Sequence, residues 1–254
     1  MPITSFMIVL SLLFSFTVSA SNLVTTIAKI KPSVVGVGVY TPLGQPKNQL
    51  NGTGFVVGNG NYVVTNHHVL PKLLDEELLQ QMVVFIGQGK SSSTRKAKVV
   101  AVSKKYDLAI LEITGKALPA LKLASDNYIA EGSDVAFTGF PIGAVLGLYP
   151  VTHSGIIASI TPTITPVTDV KQLSIKMLRT MKDPYLVYQL DATAYPGNSG
   201  SALYDVNNGQ VVAVINKVFV QGSKEAAISN PSGITYAIPV RYVRELFQKN
   251  KLSL

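Results

Sequence analysis

Cysteine is absent from all 254 residues. That absence excludes a disulfide scaffold, a thiolate zinc site and a cysteine nucleophile together. Tryptophan is missing as well, and charged residues are few, 14% against 47% hydrophobic. A chain of this length and composition has enough apolar side chain for a packed core, and disorder is disfavoured. It suffices for one large all-β domain or two small barrels sharing an interface. Acidic residues number 14 against 22 basic ones, a formal net charge of +8. The excess is dispersed in small clusters at Arg95–Lys98, Lys104-Lys105 and Arg241–Lys251. Without a basic arm or an aromatic-laced stripe, the charge argues against nucleic acid as a partner. A mildly basic surface facing an anionic envelope accounts for it.

Long apolar runs are also scarce. Phe6-Met-Ile-Val-Leu-Ser-Leu-Leu-Phe-Ser-Phe16 is followed by Val18-Ser-Ala20, a small-x-small cleavage form. The run falls short of the roughly 20 apolar residues that span a bilayer. Residues 1–20 are therefore expected to be a signal peptide cleaved after Ala20, leaving no stable membrane anchor. The expected compartment is periplasmic or extracellular. An uncleaved anchor is the alternative.

What remains is mostly short β-like runs separated by Gly, Pro and Asn. Strands are expected at 34–39, 54–57, 62–65, 82–86, 97–102 and 108–113. A second set falls at 134–139, 152–160, 186–192, 201–204, 211–218 and 234–238. Strands this short and this numerous argue an antiparallel barrel or sandwich. A short helix is expected over 21–30, apolar at Leu23, Val24, Ile27 and Ile30 and stopped by Pro32. Another is expected over 239–249, with Val240, Val243, Leu246 and Phe247 on one face. Residues 70–81 have room for a helical turn or two. Residues 161–183 read as a long loop, the kind of segment that carries specificity or regulation. Pro119 and the stretch 121–126 make a link between two halves, 21–118 and 119–254.

Three stretches carry chemistry. Asp191-Ala-Thr-Ala-Tyr-Pro-Gly-Asn-Ser-Gly-Ser-Ala-Leu203 places Ser199 between glycines. Those glycines permit positive φ and let backbone N–H groups converge on one point, which a serine nucleophile needs for its oxyanion. By itself the stretch Pro196-Gly-Asn-Ser-Gly200 reads first as a turn. Tyr62-Val-Val-Thr-Asn-His-His-Val-Leu70 ends an apolar run in two histidines, which face opposite ways if extended. Lys104-Lys-Tyr-Asp-Leu-Ala-Ile-Leu111 heads an apolar strand with Asp107, a carboxylate that burial would make costly without a donor. The third histidine is His153. Three histidines could in number hold zinc, but adjacent residues rarely ligate one ion and no His-x-x-x-His spacing is present. No metal or other cofactor is expected.

In the order His, Asp, Ser these stretches resemble a trypsin-like serine peptidase, and among those the HtrA (Deg) family most closely. The resemblance runs from about Leu23 to Leu246. It includes Ile30-Lys-Pro-Ser-Val-Val35, Gly132–Gly143, Ser154-Gly-Ile-Ile157 and Gly233-Ile-Thr-Tyr-Ala-Ile-Pro239. It implies an all-β fold of two six-stranded antiparallel β-barrels, chymotrypsin-like, with a short N-terminal helix and a C-terminal helix. It also implies that His68, directly before the valine, is the catalytic base, oriented by Asp107, with Ser199 as nucleophile. The N–H groups of Gly197 and Ser199 would form the oxyanion hole. Thr193, six residues before the nucleophile, would line the primary pocket with Tyr195, Ile215, Asn216 and Lys217. Thr193 carries no carboxylate, so the expected preference is for small or medium aliphatic residues rather than Lys or Arg.

The chain departs from the HtrA pattern at Ser201, which stands where a second glycine is usual, and no PDZ domain is expected after Leu246. The resemblance implies an exported endopeptidase acting on unfolded or exposed polypeptide, with a homo-oligomer as a possible state. Two rivals predict no turnover: a catalytically silent or latent peptidase-fold protein that binds polypeptides, and an anion-binding envelope protein whose binding is salt-sensitive. The triplet Asn51-Gly-Thr53 matches a glycan acceptor and equally a turn.

Overall fold

A computed structural model describes residues 22–141, 147–163, 183–218 and 233–254. The expected signal segment 1–20 and most of the expected 161–183 loop lie outside the described residues. Twelve strands form two closed barrels among them. The first contains β1 (Val34–Tyr40), β2 (Asn48–Val57), β3 (Tyr62–Asn66), β4 (Gln81–Ile86), β5 (Ser93–Ser103) and β6 (Leu108–Ile113). The second contains β7 (Asp134–Gly139), β8 (Val151–Pro162), β9 (Leu186–Asp191), β10 (Ala202–Asp205), β11 (Val211–Val218) and β12 (Ile234–Pro239). Their orders are β1-β2-β3-β6-β5-β4 and β10-β11-β12-β9-β8-β7, every pairing antiparallel. Closure leaves no free edge in either sheet, which short strands rich in Val and Ile otherwise expose to aggregation. The same sequence patterns therefore resolve into two barrels rather than a sandwich.

Each barrel fills its own interior. Val35, Val37, Val56, Val63, Val84 and Leu111 pack in the first, and Val135, Phe137, Ile157, Leu190, Leu203 and Ile215 in the second. A third apolar cluster joins the barrels, with Phe55, Leu108 and Ile110 against Ala136, Tyr204 and Val214. Helix α2 (Val240–Lys249) seals this seam with Val240, Val243, Leu246 and Phe247, the face expected from the sequence. Phe247 meets Tyr62 of the first barrel edge-on at 5.6 Å. The linking stretch is stitched to both halves: Leu121 N–H donates to Val56 O at 2.8 Å, and Ala124 N–H to Val211 O at 2.8 Å.

Two local expectations need correction. In helix α1 (Asn22–Ile30) the buried positions are Thr26 and Ile30, while Val24 is 68% exposed. The face that meets the protein runs through 23, 26, 27 and 30, an i, i+3, i+4, i+7 stripe that leaves Val24 outside. Thr26 earns its place by donating to Val206 O at 3.0 Å. Residues 70–81 form no α-helix. They make one turn in which Gln80 N–H bonds Asp75 O at 2.9 Å and Leu79 adopts a φ of 54°. Leu73, Leu74, Leu78 and Leu79 are all exposed (Leu73 by 89%) and share no packed surface, so nothing stabilises a helix this short.

Candidate active site

Where the two barrels meet, His68 and Asp107 of the first are joined through Asn216 to Ser199 of the second. β3 ends at Asn66, and the chain turns through a single 3₁₀ turn at His67–Val69. Asp107 precedes β6 with a φ of 53°, a left-handed conformation that Asp tolerates better than most residues. Its backbone carbonyl is held by His67 N–H at 3.0 Å and Asn66 Nδ2 at 3.1 Å. These two bonds tie the head of β6 to the end of β3 and fix where the carboxylate stands.

The carboxylate has three donors. His68 N–H reaches Oδ1 at 3.0 Å, and His68 Nδ1 lies 2.6 Å from Oδ2. Asn216 Nδ2, from β11 of the second barrel, donates to Oδ2 at 2.7 Å. Burial pushes the Asp107 carboxyl up, but the His68 ring and its charge, then Asn216, outweigh it and leave the group below the ordinary carboxylate range. A carboxylate anchored on Nδ1 selects the tautomer whose Nε2 is free to accept a proton. His68 remains 44% exposed on its side chain, against 16% for Asp107. The ring is thus held at one nitrogen and open at the other.

Behind Asp107 stands an aromatic wall. Tyr106 stacks on Tyr242 with ring centroids 4.3 Å apart and meets Tyr185 edge-on at 5.0 Å. Burial, reinforced by the negative charge of Asp107, pushes the Tyr185 hydroxyl up to about 12. It therefore stays neutral near physiological pH.

Ser199 comes from the turn between β9 and β10. Its hydroxyl donates to Asn216 O at 3.1 Å. Among the described residues it makes no hydrogen bond to His68. Around it the turn uses its amides selectively. Asn198 N–H bonds Tyr195 O at 3.0 Å, Gly200 N–H bonds Ile215 O at 2.8 Å, and Ser201 N–H bonds Asn198 O at 3.0 Å. Among the described residues the N–H groups of Gly197 and Ser199 have no protein acceptor. Gly197 has a φ of 101° and Gly200 a φ of 88°, so the turn demands glycine at both.

Of the pocket residues expected from sequence, Thr193 and Tyr195 are half-buried in this turn. The Ile215 side chain is not a wall: it is 1% exposed and packs inside the second barrel with Phe137 and Leu203. Strand alternation turns it inward with Ala213. Asn216 does not serve as a pocket wall with its side chain either, because its amide is committed to Asp107. The side chain of Lys217 lies outside the described residues. His153 stacks on Phe137 at 5.1 Å and lies 5.8 Å from Tyr195, and burial pushes its ring below the ordinary histidine value. Among the described residues no group of three His, Cys, Asp or Glu side chains is arranged to hold a metal ion.

Sequence reasoning missed the role of Asn216. The signal available was an amide side chain directly after the apolar run Val211–Ile215, 17 positions beyond Ser199, with a carboxylate elsewhere that needed donors. If Asn216 steadies Asp107, Asn216→Ala lowers kcat about 10- to 100-fold, the scale of a hydrogen bond to a charged group. The check is steady-state kinetics of the protein's turnover; an unchanged kcat means the amide is idle.

Comparison with known proteins agrees with the two-barrel fold. A family model for the trypsin-like peptidase domain matches residues 52–214. A probable periplasmic serine endoprotease, DegP-like, of Chlamydia trachomatis serovar D is 31% identical over 77% of this chain and 32% of its own length. The similarly named protein of Pseudomonas savastanoi is 28% identical over 82% of this chain and 36% of its own. The chain thus spans about a third of the length of these curated relatives. Among solved structures, the HtrA-type protease AlgW with decapeptide superposes with a TM-score of 0.66 at 23% identity, covering 90% of this chain and 67% of that one. The serine endoprotease of Yersinia pestis gives 0.63 at 21% identity, covering 90% and 66%.

Proposed function

The chain belongs to the trypsin-like peptidase family, and from that premise we propose that it is an exported serine endopeptidase using Ser199, His68 and Asp107. The observation that carries the reading is the short His68 Nδ1–Asp107 Oδ2 contact of 2.6 Å, made in one groove with Ser199 of the opposite barrel. Ser199 Oγ turns from Asn216 O towards His68 and gives its proton to Nε2 as the Oγ–carbon bond forms. Asp107 steadies the resulting imidazolium. The free N–H groups of Gly197 and Ser199 take the oxyanion, which is where electrostatic stabilisation contributes most. The same proton then passes to the leaving amine, and water releases the acyl group by the reverse route.

The substrates are unfolded or exposed polypeptide segments, cut after small or medium aliphatic residues, with no cofactor. The site is periplasmic or secreted; no described helix is long and apolar enough to cross a membrane. One observation favours a second reading, a latent peptidase-fold protein that binds polypeptide: the Ser199 hydroxyl is bonded to Asn216 O rather than to the histidine. Loose nucleophile–base contacts are common before substrate binds, so the active reading stands ahead.

The two are separated by incubating the protein with a fluorophosphonate and then with a peptide library. Covalent labelling on Ser199 and cleavage after aliphatic residues are expected. Absence of labelling under conditions where polypeptide still binds would favour the latent state, and cleavage mainly after acidic or basic residues would overturn the pocket assignment.

A further inference from the structure

Thr53 lies in β2 of the first barrel, wholly buried at 0% exposure. The triplet Asn51-Gly-Thr53 is therefore strand rather than turn. Every polar group of Thr53 is spent. Its N–H donates to Ser199 O at 2.9 Å and its Oγ1–H to Gly197 O at 2.7 Å. Oγ1 also accepts Phe140 N–H at 3.0 Å, and its carbonyl accepts Thr65 Oγ1–H at 2.7 Å. One residue of the first barrel thus grips the carbonyls on both sides of Asn198 in the second. The N–H groups of those same two residues, Gly197 and Ser199, are the ones left without a protein acceptor among the described residues.

A glycine has wide conformational freedom, so the turn at Gly197 needs an external hold to keep one geometry. A hydrogen bond to the Gly197 carbonyl orients the following peptide unit and with it the path from 197 to 199. The setting is tight and polar. The point where a Cβ on Gly139 would sit is 2.1 Å from Ser201 Oγ and 2.9 Å from both Asn198 Oδ1 and Thr53 Oγ1. Asn198 is 1% exposed and Ser201 is 0%, yet among the described residues neither side chain has a hydrogen-bond partner. Thr53 is then the residue of this cluster whose hydroxyl is fully paired and ties it to the other barrel. Gly200, whose Cβ would come 2.0 Å from Thr53 O, keeps the approach that close.

We propose that Thr53 is the positioning residue of the oxyanion hole, its hydroxyl holding the Gly197–Ser199 turn in the competent conformation from across the barrel interface. The proposal rests on the peptidase reading above. It is tested with Thr53→Val, which replaces the hydroxyl by a methyl of similar size, and Thr53→Ser, which retains it. In Thr53→Val kcat falls about 100-fold, the scale of a lost oxyanion donor, while KM changes by less than about threefold. Binding of a peptide aldehyde, whose hemiacetal oxygen occupies the hole, weakens in parallel. Thr53→Ser restores both to within about threefold of wild type, which a packing role for the methyl would not do.

A folded Thr53→Val protein with wild-type kcat, or a Thr53→Ser protein as impaired as Thr53→Val, overturns the assignment. If Thr53→Val does not fold, Thr53→Ala removes the hydroxyl without added bulk and carries the same expectation. Wild-type protein lacking Ser199-dependent turnover would instead sink the peptidase reading, an outcome distinct from a Thr53-specific failure.

Discussion

Replacing Ser199 with alanine is expected to reduce turnover of an unfolded protein substrate by about 10⁶-fold, and His68→Ala by about as much. The two act as a unit: without the hydroxyl nothing attacks, and without the imidazole nothing takes its proton. The double variant is consequently no worse than either single one, leaving the residual rate that the oxyanion hole supplies alone. His67→Ala should stay close to wild type. What His67 contributes to the site is its backbone N–H, 3.0 Å from Asp107 O, and alanine retains that group. These variants would tell the two histidines apart, of which His68 holds the 2.6 Å contact to the carboxylate. Kinetics on the four proteins decide the matter. A Ser199→Ala protein with more than about one per cent of wild-type activity would remove the nucleophile assignment.

Asp107→Asn is expected to cost about 10⁴-fold in kcat with the fold intact. Asparagine tolerates the φ of 53° at this position, so the backbone has little reason to move. The change reverses a hydrogen bond instead. A carboxylate accepts from His68 Nδ1, whereas an amide turned towards the ring donates to it and leaves the proton on Nε2, where the serine proton must go. The pH dependence of stability should separate the two proteins further. The Asp107 carboxyl is held below its ordinary value by the His68 ring and Asn216 against the cost of burial. Its contribution is present in full above the unfolded carboxylate value of about 4 and is lost as pH falls through the lower folded value. Wild type is therefore the more stable protein near neutrality, and the gap narrows on acidification. Thermal midpoints measured down to pH 2 check this; a gap that widens in acid would contradict the assigned sign.

Much of the architecture is legible in local pattern. All twelve strands overlap the short β-like runs separated by Gly, Pro and Asn; β6 (Leu108–Ile113), β7 (Asp134–Gly139) and β11 (Val211–Val218) coincide with them end to end, while β2 and β5 begin earlier, at Asn48 and Ser93. The helix face at Val240, Val243, Leu246 and Phe247 follows from 3.6-residue spacing alone. The misreadings occurred where local pattern is weak. Val24 looked apolar but lies off the packed stripe, and the leucines of 70–81 had no partner surface to make a helix worthwhile. Ile215 fell on a strand whose interior and exterior faces cannot be distinguished before the barrel is closed.

By itself, then, the sequence determined the strand pattern, the end helices and the order of histidine, aspartate and serine, because each is written in residues close together along the chain. The tertiary structure alone decided what Thr53 and Asn216 do. Thr53 reaches Gly197 across 144 positions, and Asn216 reaches Asp107 across 109. Nothing around Thr53 in the sequence announces such a bond, and around Asn216 an amide following an apolar run signals a need for a partner without naming it. Each bond exists because two separately closed barrels pack on one apolar seam, and burial there obliges polar groups from opposite halves to satisfy one another.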